Sequence, residues 1–202
     1  MTVRDAKINF IVEVATNLFL ERSINDVSIK DIAVKAGIGE ATLYRYFSKK
    51  ETIVLQCVLK LQESVNSRYF KLSNGRTGFE KLEIFYNSYL KVFEDTPDYF
   101  NFIKEFDAYM CNQSGANLDL YEKEIDEYKM TFMGAYLFGV LDKTVKEIDD
   151  IETFYFSTTH ALLELCKKLS TKKALLTQDK TSKKAAEINY LVEIILNSLK
   201  NL

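Results

Sequence analysis

One proline, Pro97, and seven glycines are too few for a chain of many tight turns, and their scarcity points to helices over turn-rich sheets. Cysteine is also sparse. Cys57, Cys111 and Cys166 are odd in number, widely separated and without C-x-x-C spacing, which fits reduced thiols in a reducing compartment. Free cysteines of this kind serve more often as small buried hydrophobes than as redox sensors. There is a single histidine, His160. With no second histidine it completes no metal site, and catalysis through it needs a nucleophile and an orienting carboxylate that the spacing does not supply. A structural or pocket-lining place suits it better. P-loop, G-x-G-x-x-G and G-x-S-x-G patterns are absent. No catalytic residues, metal or cofactor are therefore expected, and no enzyme. No apolar run reaches the roughly 18 residues of a membrane span, and no charged-then-apolar leader opens the chain. A cytoplasmic protein without a membrane partner is the expectation. The net charge of −2 lacks any overall basic signature, so contact with nucleic acid has to be local.

What remains is a globular composition, 47% hydrophobic and 28% charged, enough to bury a real core. Its apolar residues recur at helical spacing. Ile8, Ile11, Val12, Ala15 and Phe19 mark a first helix over residues 5–22. Val54, Val58, Leu61 and Val65 mark a long fourth helix that opens at a capping box, Ser48 to Glu51, and runs to about Phe70. Residues 73–77 read as a linker. Thr77 with Glu80 caps a fifth helix striped by Leu82, Phe85, Tyr86, Tyr89 and Phe93. Pro97 suits the first position of a sixth, which is followed by a loop over 112–117. Further helices are expected over about 120–145, 149–169 and 185–202, with a lysine-rich solvated connector between 170 and 184. The whole reads as all-α.

The most informative stretch is Ser28 to Glu51. Ile29, Ile32, Ala33 and Ala36 give a short helix with one apolar face, and Ser28 with Asp31 makes its capping pair. Gly37 stops that helix, since a turn after a helix often needs a positive φ that glycine adopts without steric cost. Leu43 and Phe47, one turn apart, then bury a second short helix along one thin line. Helix, glycine turn, short helix is the helix-turn-helix arrangement, whose second helix enters the DNA major groove. Residues 1–51 carry eight Lys/Arg against seven Asp/Glu, and the remainder is net −3. The asymmetry has the right direction but is small.

Over residues 5–55, with S-I-K-D-I-A-V-K-A-G-I, then A-T-L-Y-R-Y-F, then S-K-K-E, the sequence resembles the TetR family of bacterial transcriptional repressors. The resemblance implies an N-terminal three-helix DNA-binding domain, residues 1–51. The fourth helix joins it to a larger helical domain, residues 52–202, for ligand binding and dimerisation. It implies a homodimer through the last two helices, about 150–170 and 185–202, on double-stranded operator DNA. Carried over, the family pattern sets Ser28 against a phosphate, residues Glu40 and Ala41 at base edges, and Tyr44, Arg45 and Tyr46 on backbone or bases. Lys50 is the phosphate contact of the fourth helix, and Lys30, Gly39 and Thr42 complete the DNA-binding set. Gly39 and Glu40 depart from the common pattern, Gly39 by leaving the recognition helix less firmly capped. Glu40 either accepts from a cytosine amine or only favours the helix N-terminus through the dipole.

Ten of the 26 aromatics fall between Phe79 and Tyr109. Such stripes usually pack as core, yet repeated tyrosines also suit a small-molecule pocket. Tyr89, Phe102, Phe106, Tyr109, Phe132, Tyr136 and His160 are the expected wall for a largely apolar or aromatic inducer. The expectation is thus a repressor released from its operator by an unknown small molecule. The alternative is an architectural or interaction module whose C-terminal domain grips another protein.

Overall fold

The computed structural model describes residues 2–113, 117–171, 177 and 183–201. Among these the regular structure is helical, apart from one isolated antiparallel bridge between Val145 and Lys200. The all-α reading holds. Most of the lysine-rich connector expected over 170–184, and the centre of the 112–117 loop, lie outside the described residues.

The helices in order are α1 (Val3–Glu21), α2 (Ile29–Lys35), α3 (Glu40–Tyr46), α4 (Lys50–Tyr69), α5 (Gly78–Asp95), α6 (Pro97–Met110), α7 (Asp119–Leu141), α8 (Ile151–Ser170) and α9 (Lys184–Leu199). Short 3-10 turns occupy Ile24–Asp26 and Leu72–Asn74. Side chains placed at the helix starts take up backbone N–H groups that a helix leaves unpaired. Thr2 and Asp5 form a reciprocal capping box on α1, Thr77 accepts from the Glu80 N–H on α5, and Asp150 accepts from the Thr153 N–H on α8. The box expected from Ser48 to Glu51 does not form. Helix α4 begins at Lys50, so Ser48 stands one residue too early, and among the described residues no Ser48–Glu51 hydrogen bond is made.

Helix α7 stops at Leu141, four residues before the expected end. Asp142 Oδ1 accepts both the N–H and the hydroxyl of Thr144, and Lys143 between them takes a left-handed φ of 63°. That local turn competes successfully with one more helical turn.

By compactness the chain separates into a unit of residues up to Glu63 with Phe102–Glu122, and a unit of Ser64–Asn101 with residues from Lys123 on. The first unit is built on Ile11, Ile24, Ile32, Leu43, Ile53, Phe102 and Phe106, all at most 2% exposed. The second packs α5 against α8 and α9 over a core that includes Leu82, Phe85, Tyr86, Phe132, Leu162, Ile188 and Leu199. Its α5 and α7 approach backbone to backbone at Gly78 and Gly139. A Cβ on Gly78 would lie 2.1 Å from the Gly139 Cα. The α5 N-terminus is closed by the turn after α7, where Asp142 Oδ2 accepts the Gly78 N–H and the Thr144 hydroxyl accepts the Phe79 N–H.

Candidate nucleic-acid interface

Ser28 caps α2 through a reciprocal box. The Asp31 N–H donates to its hydroxyl oxygen at 3.1 Å, while Asp31 Oδ2 accepts from the Ser28 N–H at 2.8 Å and from its hydroxyl at 2.7 Å. These bonds, with Arg22 and Lys30 nearby, hold the Asp31 carboxyl below its ordinary range. At the other end, Ala36 is followed by Gly37 at φ +65°. The Gly37 N–H reaches the Val34 carbonyl at 3.1 Å and the Ile38 N–H the Ala33 carbonyl at 3.0 Å. That pair of bonds is the Schellman closure, and it sets the angle at which the chain enters α3.

Helix α3 buries only Leu43 within its seven residues, and Phe47 follows as its buried C-cap. The thin-line reading is correct, and it leaves most of the helix surface outward. Glu40, Ala41, Tyr44 and Arg45 are exposed, Tyr44 to 51%, with Thr42 and Tyr46 half-buried. Gly39 occupies the N-cap with no side-chain bond. Lys30 and Ser28 are exposed on the first turn of α2.

Lys50 is placed differently from its neighbours. Its ammonium donates to the Ile24 carbonyl at 2.5 Å and lies 5.3 Å from the Tyr109 ring centroid and 6.0 Å from that of Phe19. Desolvation lowers its pKa. The Ile24 N–H is held as well, donating to Glu105 Oε2 on α6 at 2.9 Å. Both backbone groups of the residue that leads into α2 are thus fixed by side chains from α4 and α6. Exposed Lys49 beside it is a phosphate-binding candidate that sequence reasoning passed over. No local signal separates the two lysines, because the partner that draws Lys50 inward, Tyr109, is distant in the chain.

The seven residues expected to wall a ligand are distributed over the two units. Phe102, Phe106 and Tyr109 belong to the first unit, where Phe102 meets Phe19 at 6.4 Å and Phe106 meets Tyr121 at 4.9 Å. Tyr89, Phe132, Tyr136 and His160 belong to the second. Phe132 and Tyr136 stack there, and the Tyr136 hydroxyl accepts the Ile148 N–H at 2.8 Å. His160 is exposed on α8 beside the Phe156 ring. Burial pushes the thiols of Cys57 and Cys166 up to about 12, which suppresses thiolate chemistry. Among the described residues no group of three His, Cys, Asp or Glu is disposed to hold a metal ion, and no helix is long and apolar enough to cross a membrane.

A helix-turn-helix head on an otherwise helical chain is the architecture of a DNA-binding transcriptional regulator. Residues 11–57 match the model of bacterial regulatory proteins of the tetR family. The chain therefore carries the DNA-binding head of that family, as its motifs suggested. No curated protein matches it in sequence. Solved structures share the fold over nearly the whole chain. A TetR transcription regulator from Haloarcula marismortui aligns with TM-score 0.75 at 13% identity, covering 98% of this chain and 100% of that one. A putative transcriptional regulator from Saccharomonospora viridis, in complex with choline, aligns at 0.71 and 19%, covering 98% and 99%. The ketosteroid transcriptional regulator KstR2 of Mycobacterium tuberculosis aligns at 0.66 and 15%, covering 96% and 95%.

Proposed function

We propose that the protein is a ligand-responsive repressor acting as a cytoplasmic homodimer, with residues 1–51 reading operator DNA and residues 52–202 serving ligand binding and dimerisation. The observation that carries this reading is the exposed face of α3. A seven-residue helix anchored by Leu43 alone, with Tyr44 and Arg45 turned outward, fits a groove-reading helix better than a core element. Lys30, Lys49 and Arg45 neutralise phosphates, while Ser28, Thr42, Tyr44 and Tyr46 set register through hydrogen bonds. Ala41 and Glu40 face base edges from the first turn of α3, where Gly39 admits close backbone approach. Lys50 joins them only by leaving the Ile24 carbonyl. Phe156 on α8 and Tyr190 and Ile194 on α9 are exposed apolar residues, which supports pairing through the last two helices. A second exposed apolar set lies on α7 at Leu137, Phe138 and Leu141.

Two recognition helices must meet half-sites one DNA turn apart, about 34–36 Å. A ligand that prefers an arrangement with the wrong separation lowers DNA affinity by its differential binding free energy. The bound choline of the Saccharomonospora viridis regulator supports a small-molecule effector, here one with a largely apolar or aromatic body to suit the tyrosine-rich and phenylalanine-rich interior.

The test is binding of the dimer to palindromic duplexes selected from a random pool, followed by fluorescence anisotropy across salt concentrations. Affinity should fall steeply with salt. Arg45→Ala should weaken binding and reduce the salt slope by about one for each phosphate that the guanidinium neutralises. Equal affinity for selected and random duplex would overturn the proposal.

A further inference from the structure

The turn that leads from α1 into α2, Ser23 to Val27, is held from three directions. The Arg22 guanidinium, at the C-cap of α1, donates to the Asp26 carbonyl at 2.5 Å and lies 3.8 Å from the Asp31 carboxylate. Lys50, the first residue of α4, donates to the Ile24 carbonyl. Glu105 of α6, 81 residues further along the chain than Ile24, accepts from the Ile24 N–H. Ile24 and Val27 anchor the same turn inward, both fully buried. All of these residues belong to the first compact unit.

The Lys50 ammonium is committed to this arrangement. Hydrogen bonds from a charged donor are stronger than those between neutral groups, and the Tyr109 and Phe19 rings, at 5.3 and 6.0 Å, add their attraction for a cation. Reaching a phosphate would mean giving up all three contacts. Lys49, one residue earlier, is already exposed. Glu105 and Tyr109 stand i, i+4 on α6, so one face of that helix serves both the turn and the lysine that holds it.

What the turn controls is the start of α2. Ser28 follows Val27 directly and caps α2 through its box with Asp31, the same carboxylate that lies near Arg22. Helix α2 then leads through Gly37 into α3. A loose turn would give both helices orientational freedom that DNA binding has to remove.

We infer that Lys50 and Glu105 are positioning residues for DNA binding: they fix the Ile24 turn from its carbonyl and N–H sides, and Lys50 keeps its charge on that carbonyl and neutralises no phosphate. This rests on the DNA-binding reading above, and it gives Lys50 a role other than the phosphate contact that the resemblance implied.

The experiment measures fluorescence anisotropy on a selected palindromic duplex across salt concentrations, with the wild-type full chain, Lys50→Met, Glu105→Asp and Glu105→Gln. It is run well below the melting temperature of each, where a loss of stability alone leaves the affinity of the folded head unchanged. Lys50→Met should weaken binding about fivefold with the salt slope unchanged, whereas removing a phosphate contact would lower the slope by about one per phosphate. Glu105→Asp keeps the charge but sets the carboxylate back by one methylene, and should also weaken binding about fivefold. Glu105→Gln keeps an acceptor at full reach and should bind more tightly than Glu105→Asp. A slope that falls in Lys50→Met overturns the proposal. So does wild-type affinity in Lys50→Met or Glu105→Asp, or weaker binding by Glu105→Gln than by Glu105→Asp. Equal wild-type affinity for selected and random duplex is the separate failure of the DNA-binding reading itself.

Discussion

Gly39 holds the N-cap of α3 at φ −73° and ψ 148°, extended backbone open to any residue, and a Cβ built there meets nothing within 4 Å. The position lacks only the hydroxyl or carboxamide that a side-chain cap supplies. Gly39→Ser should therefore raise the stability of the chain by a few tenths of a kcal/mol, read as a small rise in the denaturation midpoint with an unchanged slope. A lower midpoint would mean that the glycine serves a backbone approach inside the folded head, not close approach to DNA. Gly37 differs in kind. At φ +65° it occupies backbone that side chains disfavour, and the closure of α2 depends on it.

The same substitution, glycine to alanine, has opposite expected signs at two helical positions of the second unit. At Gly78 a Cβ would press on the Gly139 backbone at 2.1 Å and on the Ala135 carbonyl at 2.8 Å, neither of which is the end of a flexible side chain. Helices α5 and α7 must then part, disturbing the Asp142 and Thr144 bonds that close the start of α5. Gly78→Ala should cost about 1–3 kcal/mol. Gly134, in the middle of α7, is exposed with nothing near its Cβ position, and Gly134→Ala should stabilise by about 0.5–1 kcal/mol. Chemical denaturation of both variants checks the pair, and equal signs would refute the close-approach account. This contrast marks the limit of what the sequence discloses. The Ser28–Asp31 cap, the Gly37 stop, the Leu43–Phe47 line and Pro97 at the start of α6 were legible because each rests on residues within one or two turns. The Gly78–Gly139 contact and the inward turn of Lys50 under Tyr109 were not, because each needs partners far apart in the chain. The end of α7 was local, but apolar residues run on past it to Val145, and the stop is made by Asp142, Lys143 and Thr144, which have already turned the backbone.

Across the whole molecule, ionised carboxylates are tied to the starts of helices. Asp5 accepts from the Thr2 N–H and Asp31 from the Ser28 N–H. Glu80 accepts from the Arg76 N–H just ahead of α5, Asp142 from the Thr144 hydroxyl and the Gly78 N–H, and Asp150 from the Thr153 N–H. Each of these bonds favours the charged form and holds its carboxyl below the ordinary value of 3.8 for aspartate or 4.5 for glutamate. The sign follows from linkage. A group whose folded pKa is depressed contributes stability that is fully present above its unfolded pKa, and loses it as pH falls through the folded one. Because the five carboxylates are spread over both compact units, acid should loosen helix starts throughout the chain. The melting temperature should hold from neutral pH to about 5 and drop steadily below about 4. Asp31→Asn and Asp150→Asn, one in each unit, should melt below wild type at neutral pH and converge with it as acid protonates the native carboxylates. Melting curves followed by circular dichroism down the pH series check this, and a gap between wild type and variants that persists unchanged into acid would show that the caps act through shape and not through charge.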